Sequence, residues 1–360
     1  MKNFIKRYGI LIEIVLLAVL IIAFVKSNFK AEHIAMIANS QNAQTEKKGY
    51  IKWVDFKVSY QALQDAYTYD VESYEKENHI NWIELLAYLG ARYGGDFKNY
   101  KSKDMADLVA KLNSNEETME TLTKDMKYYS YYYEAYSAVL GGLVGEYEIQ
   151  VLKDENGGEK VWKKTYGLKG FLPLAKNFPY ADFDDFGVSR SYGYKRQHLG
   201  HDMMGQVGTP VIAAESGYVE ALGWNQYGGW RLGIRSFDKK RYYYYAHLRK
   251  NFPYCKSLKV GSVVTAGDVI GYLGRTGYSK KENTNNIDTS HLHFGLQLIF
   301  DESQKEGNNE IWVDCYDLTR FLYANRCETV KDASTKEWYR IYDMRDPSAE
   351  EFKKAQQKKK

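Results

Sequence analysis

Five of the seven histidines in this 360-residue sequence fall into three short clusters. They are His198-Leu199-Gly200-His201-Asp202, Tyr245-Ala246-His247-Leu248 and His291-Leu292-His293-Phe294-Gly295. Imidazoles and carboxylates bind metal ions, and imidazole also moves protons near neutral pH. On an extended strand, residues i and i+2 share a face, so His291 and His293 would present two imidazoles side by side. His198 and Asp202 are four apart and share a face whether the segment is extended or helical. Gly200 between them leaves room for close backbone approach. His201 has the opposite parity to His198 on an extended segment and is read as non-ligating. Two imidazole nitrogens and one carboxylate oxygen suit a zinc ion at roughly 2.0–2.2 Å, and three protein ligands leave a fourth position for water, as in catalytic rather than structural zinc sites. A lone histidine is usually a surface or satisfied core residue, and HxH or HxxxD alone is a weak signal. The three clusters together, in this order, are a strong one.

The elements that must position these side chains read as β-structure. Glycines punctuate short apolar runs at Pro210 to Ala213, Gly217 to Leu222, Trp230 to Ser236, Tyr242 to His247, Val269 to Leu273 and His291 to Leu298. This pattern describes an all-β domain, placed at 172–328. A connector at 146–171 carries Asn156-Gly157-Gly158 between two strand-like runs, a strong hairpin signal. Ahead of it, residues 57–145 contain no proline and show helical periodicity, with Leu63, Tyr67, Val71 and Tyr74 first, Ile83, Leu86 and Leu89 next, then Met105, Leu108 and Leu112. A Tyr-rich helix from Tyr128 to Leu140 stops at Gly141-Gly142. This helical bundle is read as a spacer or docking domain with room for a protein partner. Glu84 on its second helix has the setting of a muramidase glutamate, but no second carboxylate stands at a recognisable spacing. Residues 329–360 read as a charged C-terminal tail.

Lys2, Lys6 and Arg7 precede an apolar run from Gly9 to Val25 that only Glu13 interrupts. That is marginal but adequate for a spanning helix. No small-x-small cleavage site follows it, so residues 1–30 are read as a cytoplasmic stub and uncleaved transmembrane signal anchor, and 31–56 as a polar linker. Everything after about Lys30 is then expected outside a single-pass membrane protein. The net charge of +4 comes from basic residues spread along the chain, which argues against nucleic-acid binding. Most of the 33 tyrosines are assigned to packing. Cys255, Cys315 and Cys327 form no CxxC pair; free thiols are expected, with a Cys315–Cys327 bridge as the alternative.

The segment from about Ser189 to Leu298 resembles the lysostaphin-type, LytM-like zinc endopeptidases of bacterial cell walls. Their HxGxD, YxH and HLHF motifs correspond to His198-x-Gly200-x-Asp202, Tyr245-x-His247 and His291-Leu292-His293-Phe294. The resemblance implies a mainly antiparallel, duplicated-hybrid-motif domain. It implies one zinc ion, with His198, Asp202 and His293 as ligands and His247 and His291 beside the reacting water. In that scheme His291 takes the proton of the water and passes it to the leaving amine, and His247 stabilises charge on the tetrahedral intermediate. Which of the two is the principal base stays open. The expected activity is hydrolysis of peptidoglycan stem peptides or cross-links. The expected alternative is an activator of wall enzymes or a channel scaffold, and the filled motif positions favour the enzyme. The sequence leaves a direct 4→3 link, a 3→3 link or a glycine bridge open, and mildly favours a direct link. One departure from the family is the longer polar loop at 278–290, which leads into His291 and should border the groove.

Overall fold

The computed structural model describes residues 50–114, 117–154, 157–191, 195–307 and 309–358. The expected membrane-spanning run from Gly9 to Val25 lies outside them. Among the described residues no helix is long and apolar enough to cross a membrane.

Helix formation follows the capping residues and the apolar spacing. Helix α1, Tyr60–Ser73, starts at Ser59, whose hydroxyl accepts from the Ala62 amide, and buries Ala62, Leu63, Ala66 and Asp70 along one face. Helix α2, Trp82–Tyr93, is capped by Asn81 and stops at Gly94, which adopts the left-handed conformation. Helix α3, Ser102–Asn113, buries Met105, Leu108, Val109 and Leu112. The short α4, Met119–Thr123, buries none of its residues. Helix α5, Tyr129–Leu140, packs on α2, with Tyr136 against Gly90, and buries Tyr131, Tyr132, Ala135, Tyr136 and Val139. Those tyrosines are core residues, in line with the packing role assigned to them.

Strands β1, Val144–Leu152, and β2, Lys160–Leu168, form the expected hairpin in antiparallel register from Val144↔Leu168 to Leu152↔Lys160. The hairpin is tied to the helices. Tyr74 stacks on Tyr166 at 3.7 Å between centroids. The buried Asp70 accepts from the Tyr166 hydroxyl at 2.6 Å and from the Trp82 amide at 2.9 Å, and meets His79 Nε2 at 2.9 Å.

The β-region follows. After β3, Tyr180–Ala181, the β4–β5 hairpin pairs Ser189–Ser191 with Lys195–Gln197. Strands β6, His201–Gly205, and β7, Pro210–Ile212, come next, then the long β8, Gly217–Asn225, and β9, Gly229–Ser236. They are followed by β10, Arg241–Ala246, β11, Val263–Val264, β12, Val269–Tyr272, β13, His291–Leu298, and β14, Ile311–Val313. The main sheet has eight strands in the order β11-β8-β9-β10-β13-β6-β3, with β14 added alongside β13, and every pairing is antiparallel. A separate two-stranded sheet pairs β7 with β12. Alternation sets the core: Tyr243, Tyr245, Leu292, Phe294 and Leu296 point inward, while Tyr242, Tyr244, His291 and His293 lie on the other face.

Helix α6, Tyr316–Leu322, closes the domain and carries Phe321 against Tyr67 of α1 and Trp82 of α2. Residues 54–360 consequently form one compact unit. The segment expected as a charged tail is ordered: β15, Thr329–Lys331, pairs with β16, Trp338–Arg340, β17, Met344–Arg345, adds to β1, and α7, Pro347–Gln357, stacks Phe352 on Tyr218. Its few apolar anchors, including Met344, Ala349 and Phe352, are spaced widely among charges. All three cysteines are free, and Cys315 and Cys327 are buried apart from each other's chemistry.

Candidate metal centre and active-site groove

The site is assembled by strand register. His293 on β13 pairs directly with Asp202 on β6 on one side and with Ala246 on β10 on the other. His291, two residues earlier, shares the face of His293, as the spacing requires. His198 comes from the segment just before β6. That approach depends on Gly200: a Cβ there would lie 2.6 Å from His293 Cε1 and 2.9 Å from the Phe294 carbonyl oxygen. His247 follows β10 in a left-handed backbone conformation, φ 60°, which turns its ring back into the groove.

Three donor atoms converge. His198 Nε2 lies 3.0 Å from Asp202 Oδ1 and 2.9 Å from His293 Nδ1, and His293 Nδ1 lies 2.9 Å from Asp202 Oδ1. Ligands of a tetrahedral zinc ion at about 2.05 Å stand about 3.3 Å apart, so an opening of about 0.4 Å accommodates the ion. The donor chemistry fits as well, with two imidazoles and one carboxylate. Outer contacts orient the set. His198 Nδ1 is 3.1 Å from the Asp185 carbonyl and 3.2 Å from its carboxylate, which directs Nε2 inward. Arg190 Nη2 donates to Asp185 Oδ2 at 2.6 Å and to the outer oxygen of Asp202 at 3.3 Å.

The remaining two histidines flank the cluster. His247 Nδ1 lies 2.9 Å from the Thr276 carbonyl and His291 Nδ1 lies 2.8 Å from the Thr289 carbonyl. A carbonyl only accepts, so each Nδ1 carries the proton and each Nε2 is left as a lone pair. The two rings are 4.8 Å apart. Burial, reinforced by His291 and His293, pushes His247 well below the ordinary histidine value. Burial opposes charge on His198, but hydrogen bonds to Asp185 and Asp202 raise it to about 9. Burial likewise opposes charge on Asp202, yet His198 and His293 hold it far below the usual carboxylate range. His201 turns to the opposite side, where its Nε2 meets Asp182 at 2.9 Å. It stands outside the cluster, as its parity indicates.

The cluster sits in an open groove of about 1300 Å³ that runs across the outer face of the sheet. Its floor includes Tyr242, Tyr244 and Gln297, and Arg196, Tyr227 and Tyr278 form one wall. The 278–290 loop borders it through Asn286, Ile287, Asp288 and Thr289. That loop is fastened by Asn283, which accepts from Trp230 Nε1 at 2.9 Å and from the Asn251 amide at 2.8 Å. The structure brings His198, Asp202, His247, His291 and His293 together in one groove, and places beside them Asp185 and Arg190, which sequence reading did not single out. No spacing or composition signal ahead of His198 indicates what Asp185 and Arg190 will reach.

Comparison with known proteins concerns this same segment. Residues 196–308 match the model of Peptidase family M23. An L-Ala–D-Glu endopeptidase of Bacillus subtilis is 37% identical over 125 residues, which cover 35% of this chain and 36% of that protein. Lysostaphin of Staphylococcus simulans is 39% identical over 98 residues, 27% of this chain and 17% of its own length. The match therefore spans about a third or less of either relative's length. The crystal structure of a LytM-type protein from Ruminococcus gnavus is 23% identical and covers 78% of this chain and 93% of that one, with a TM-score of 0.49.

Proposed function

Because residues 196–308 form a domain of peptidase family M23, of the lysostaphin and LytM kind, we propose that this protein is a zinc-dependent endopeptidase that hydrolyses peptide bonds in peptidoglycan. The observation that carries the reading is the convergence of His198 Nε2, Asp202 Oδ1 and His293 Nδ1 at the floor of an open groove, with two further imidazoles beside them.

His198, Asp202 and His293 would hold the ion. Zinc supplies Lewis acidity there, lowering the pKa of water and polarising a carbonyl. The rest of the chemistry belongs to the chain. His247 and His291 both present an Nε2 lone pair, so either can accept the proton of the attacking water and then, as an imidazolium, donate it to the departing amine. A charge-stabilising role for His247 requires that it first be protonated at Nε2. The Thr276 and Thr289 carbonyls keep the two rings in the accepting tautomer. Asp185 and Arg190 position the ligand set. The open groove suits an extended peptide lying across β10 and β13.

The apolar run from Gly9 to Val25 behind Lys2, Lys6 and Arg7 supports a membrane-anchored enzyme with this domain on the wall side. The test is digestion of purified peptidoglycan of several chemotypes with the zinc-loaded protein, followed by mass spectrometry of the muropeptides. Release of new amino groups that a chelator stops is the expected result, and the fragments identify the bond. A protein that binds zinc yet leaves every wall intact is instead a scaffold built on the peptidase fold.

A further inference from the structure

The groove wall contains an unbalanced positive charge. Arg190 and Arg196 are direct cross-strand partners on the β4–β5 hairpin. Like charges in that position repel unless each has its own counter-charge. Arg190 has two, Asp185 and Asp202. Arg196 has no carboxylate partner among the described residues. It is held instead by aromatic rings: its guanidinium lies 5.1 Å from the Tyr278 ring and 5.9 Å from the Tyr227 ring, and Nη2 donates to the Tyr278 hydroxyl. Its Nε is shielded from solvent and meets no acceptor. A second guanidinium, Arg231, lines the same groove, also with no carboxylate partner among the described residues. Tyr244 lines the same groove, and its ring stands 5.9 Å from that of His293. The acidic side chains of the groove do not answer this charge. Glu220 is engaged by Lys305 at 3.1 Å, Glu310 accepts from Trp312 Nε1, and Asp288 and Glu306 are exposed.

A guanidinium held against two aromatic rings, with an unmet inner N–H and no carboxylate partner among the described residues, is preorganised for a planar anion. It stands on the wall of a groove whose floor carries the reacting groups. Tyr278 links the two directly, because its ring is also 5.9 Å from that of His247.

We propose that Arg196, supported by Arg231, determines specificity by binding a free carboxylate on a substrate residue beside the scissile bond. This rests on the peptidase reading given above. It narrows the substrate class to stem-peptide segments that carry a carboxylate, and away from the uncharged interior of a glycine bridge.

The experiment uses the full chain, loaded with zinc, and a synthetic stem peptide. In companion peptides each carboxyl group in turn is converted to the carboxamide. Cleavage is followed by mass spectrometry and binding by calorimetry. The wild type is expected to favour the free acid by at least about tenfold in kcat/KM over one of the carboxamide forms. Arg196→Gln should reduce that preference to less than about threefold, with zinc content and melting temperature unchanged, and Arg196→Lys should retain part of it. Cleavage that ignores every amidation, or a preference that survives Arg196→Gln, overturns the inference and leaves the peptidase reading standing. Absence of cleavage with selective binding of the free acid, lost in Arg196→Gln, overturns the peptidase reading and leaves the carboxylate site standing. Absence of both cleavage and selective binding overturns both.

Discussion

Replacing Arg241 by Met tests whether the helical region is a structural part of the peptidase unit. Arg241 opens β10 and is 2% exposed. Its Nε and Nη2 donate to the two oxygens of Glu215 at 2.7 and 3.1 Å, and Nη2 also reaches Asp238 at 2.9 Å. Nη1 donates at 2.8 Å to the carbonyl of Ala138 and at 3.3 Å to that of Ser137, in the last turn of α5. The guanidinium therefore joins the sheet to the C-terminus of a helix some hundred residues away, where the helix dipole favours positive charge. Glu215 is itself buried and, among the described residues, would retain only the Tyr243 hydroxyl, at 2.7 Å, as a side-chain donor. Removing one partner of a buried ion pair costs about 3–5 kcal/mol, because the other charge is left uncompensated. The unmet helix carbonyls add to that cost. Arg241→Met is thus expected to lower the unfolding free energy in urea by about 3–5 kcal/mol. The double variant Arg241→Met with Glu215→Leu should recover much of it, since the stranded charge is gone. A single variant that loses less than about 1 kcal/mol would refute the reasoning, because the pair would then be solvated or dispensable.

Four further outcomes follow from the geometry. Chelation should abolish cleavage and added zinc restore it, and His198→Ala or Asp202→Ala should lose the metal, as measured by atomic absorption. His247→Ala and His291→Ala should keep most of the zinc yet lower kcat by about 10²–10⁴, the usual scale for general acid–base groups. Gly200→Ala places a Cβ 2.6 Å from His293 and should weaken zinc binding, read by competition with a fluorescent chelator, before it lowers the melting temperature appreciably. Asp346 gives a pH prediction: burial opposes its charge, but Lys169 at 3.1 Å and Ser348 depress its pKa. Its stabilisation is therefore complete above the unfolded value of about 3.9 and lost as pH falls through the lower folded value, and Asp346→Asn should flatten that acid limb in urea titrations.

The central constellation was legible because its chemistry is local. HxH on a strand and HxxxD around a glycine encode facing side chains within a few residues, and alternation alone sends Tyr243 and Tyr245 inward and Tyr242 and Tyr244 outward. The helices were legible for the same reason: the period of Ile83, Leu86 and Leu89 marks α2, and Gly141 ends α5. What escaped depends on distant pairing. Nothing near Arg190 announces that it will reach Asp202, and nothing in Ala214-Glu215-Ser216 announces a buried partner for Arg241. The C-terminal segment escaped for a different reason. Its apolar residues are too few for a period, yet Phe352 finds Tyr218 and Phe237, and Trp338 packs against Phe178. A charge-rich composition conceals anchors that act singly.

Strand β10 shows why the helical layer matters to a site it does not touch. Its first residue, Arg241, is fixed beneath α5, and the strand then runs straight to the turn that holds His247. Its inward residues are fixed as well: the Tyr243 hydroxyl donates to Glu215, and the Tyr245 hydroxyl accepts from the Ala214 amide at 3.0 Å. Gly142, just past α5, is part of the same junction. A Cβ there would lie 1.7 Å from Glu215 Oε1, and that carboxylate cannot retreat while Arg241 and Tyr243 hold it. The outward residues of β10, Tyr242 and Tyr244, are the groove floor, so the floor inherits the rigidity of the buried side. A peptide laid across that floor meets groups whose spacing is set by a junction between two regions of the chain. Catalysis by positioned imidazoles is sensitive to displacements of about 1 Å. The helical region is in this respect a support for the groove, whatever it also contacts on its outer surface.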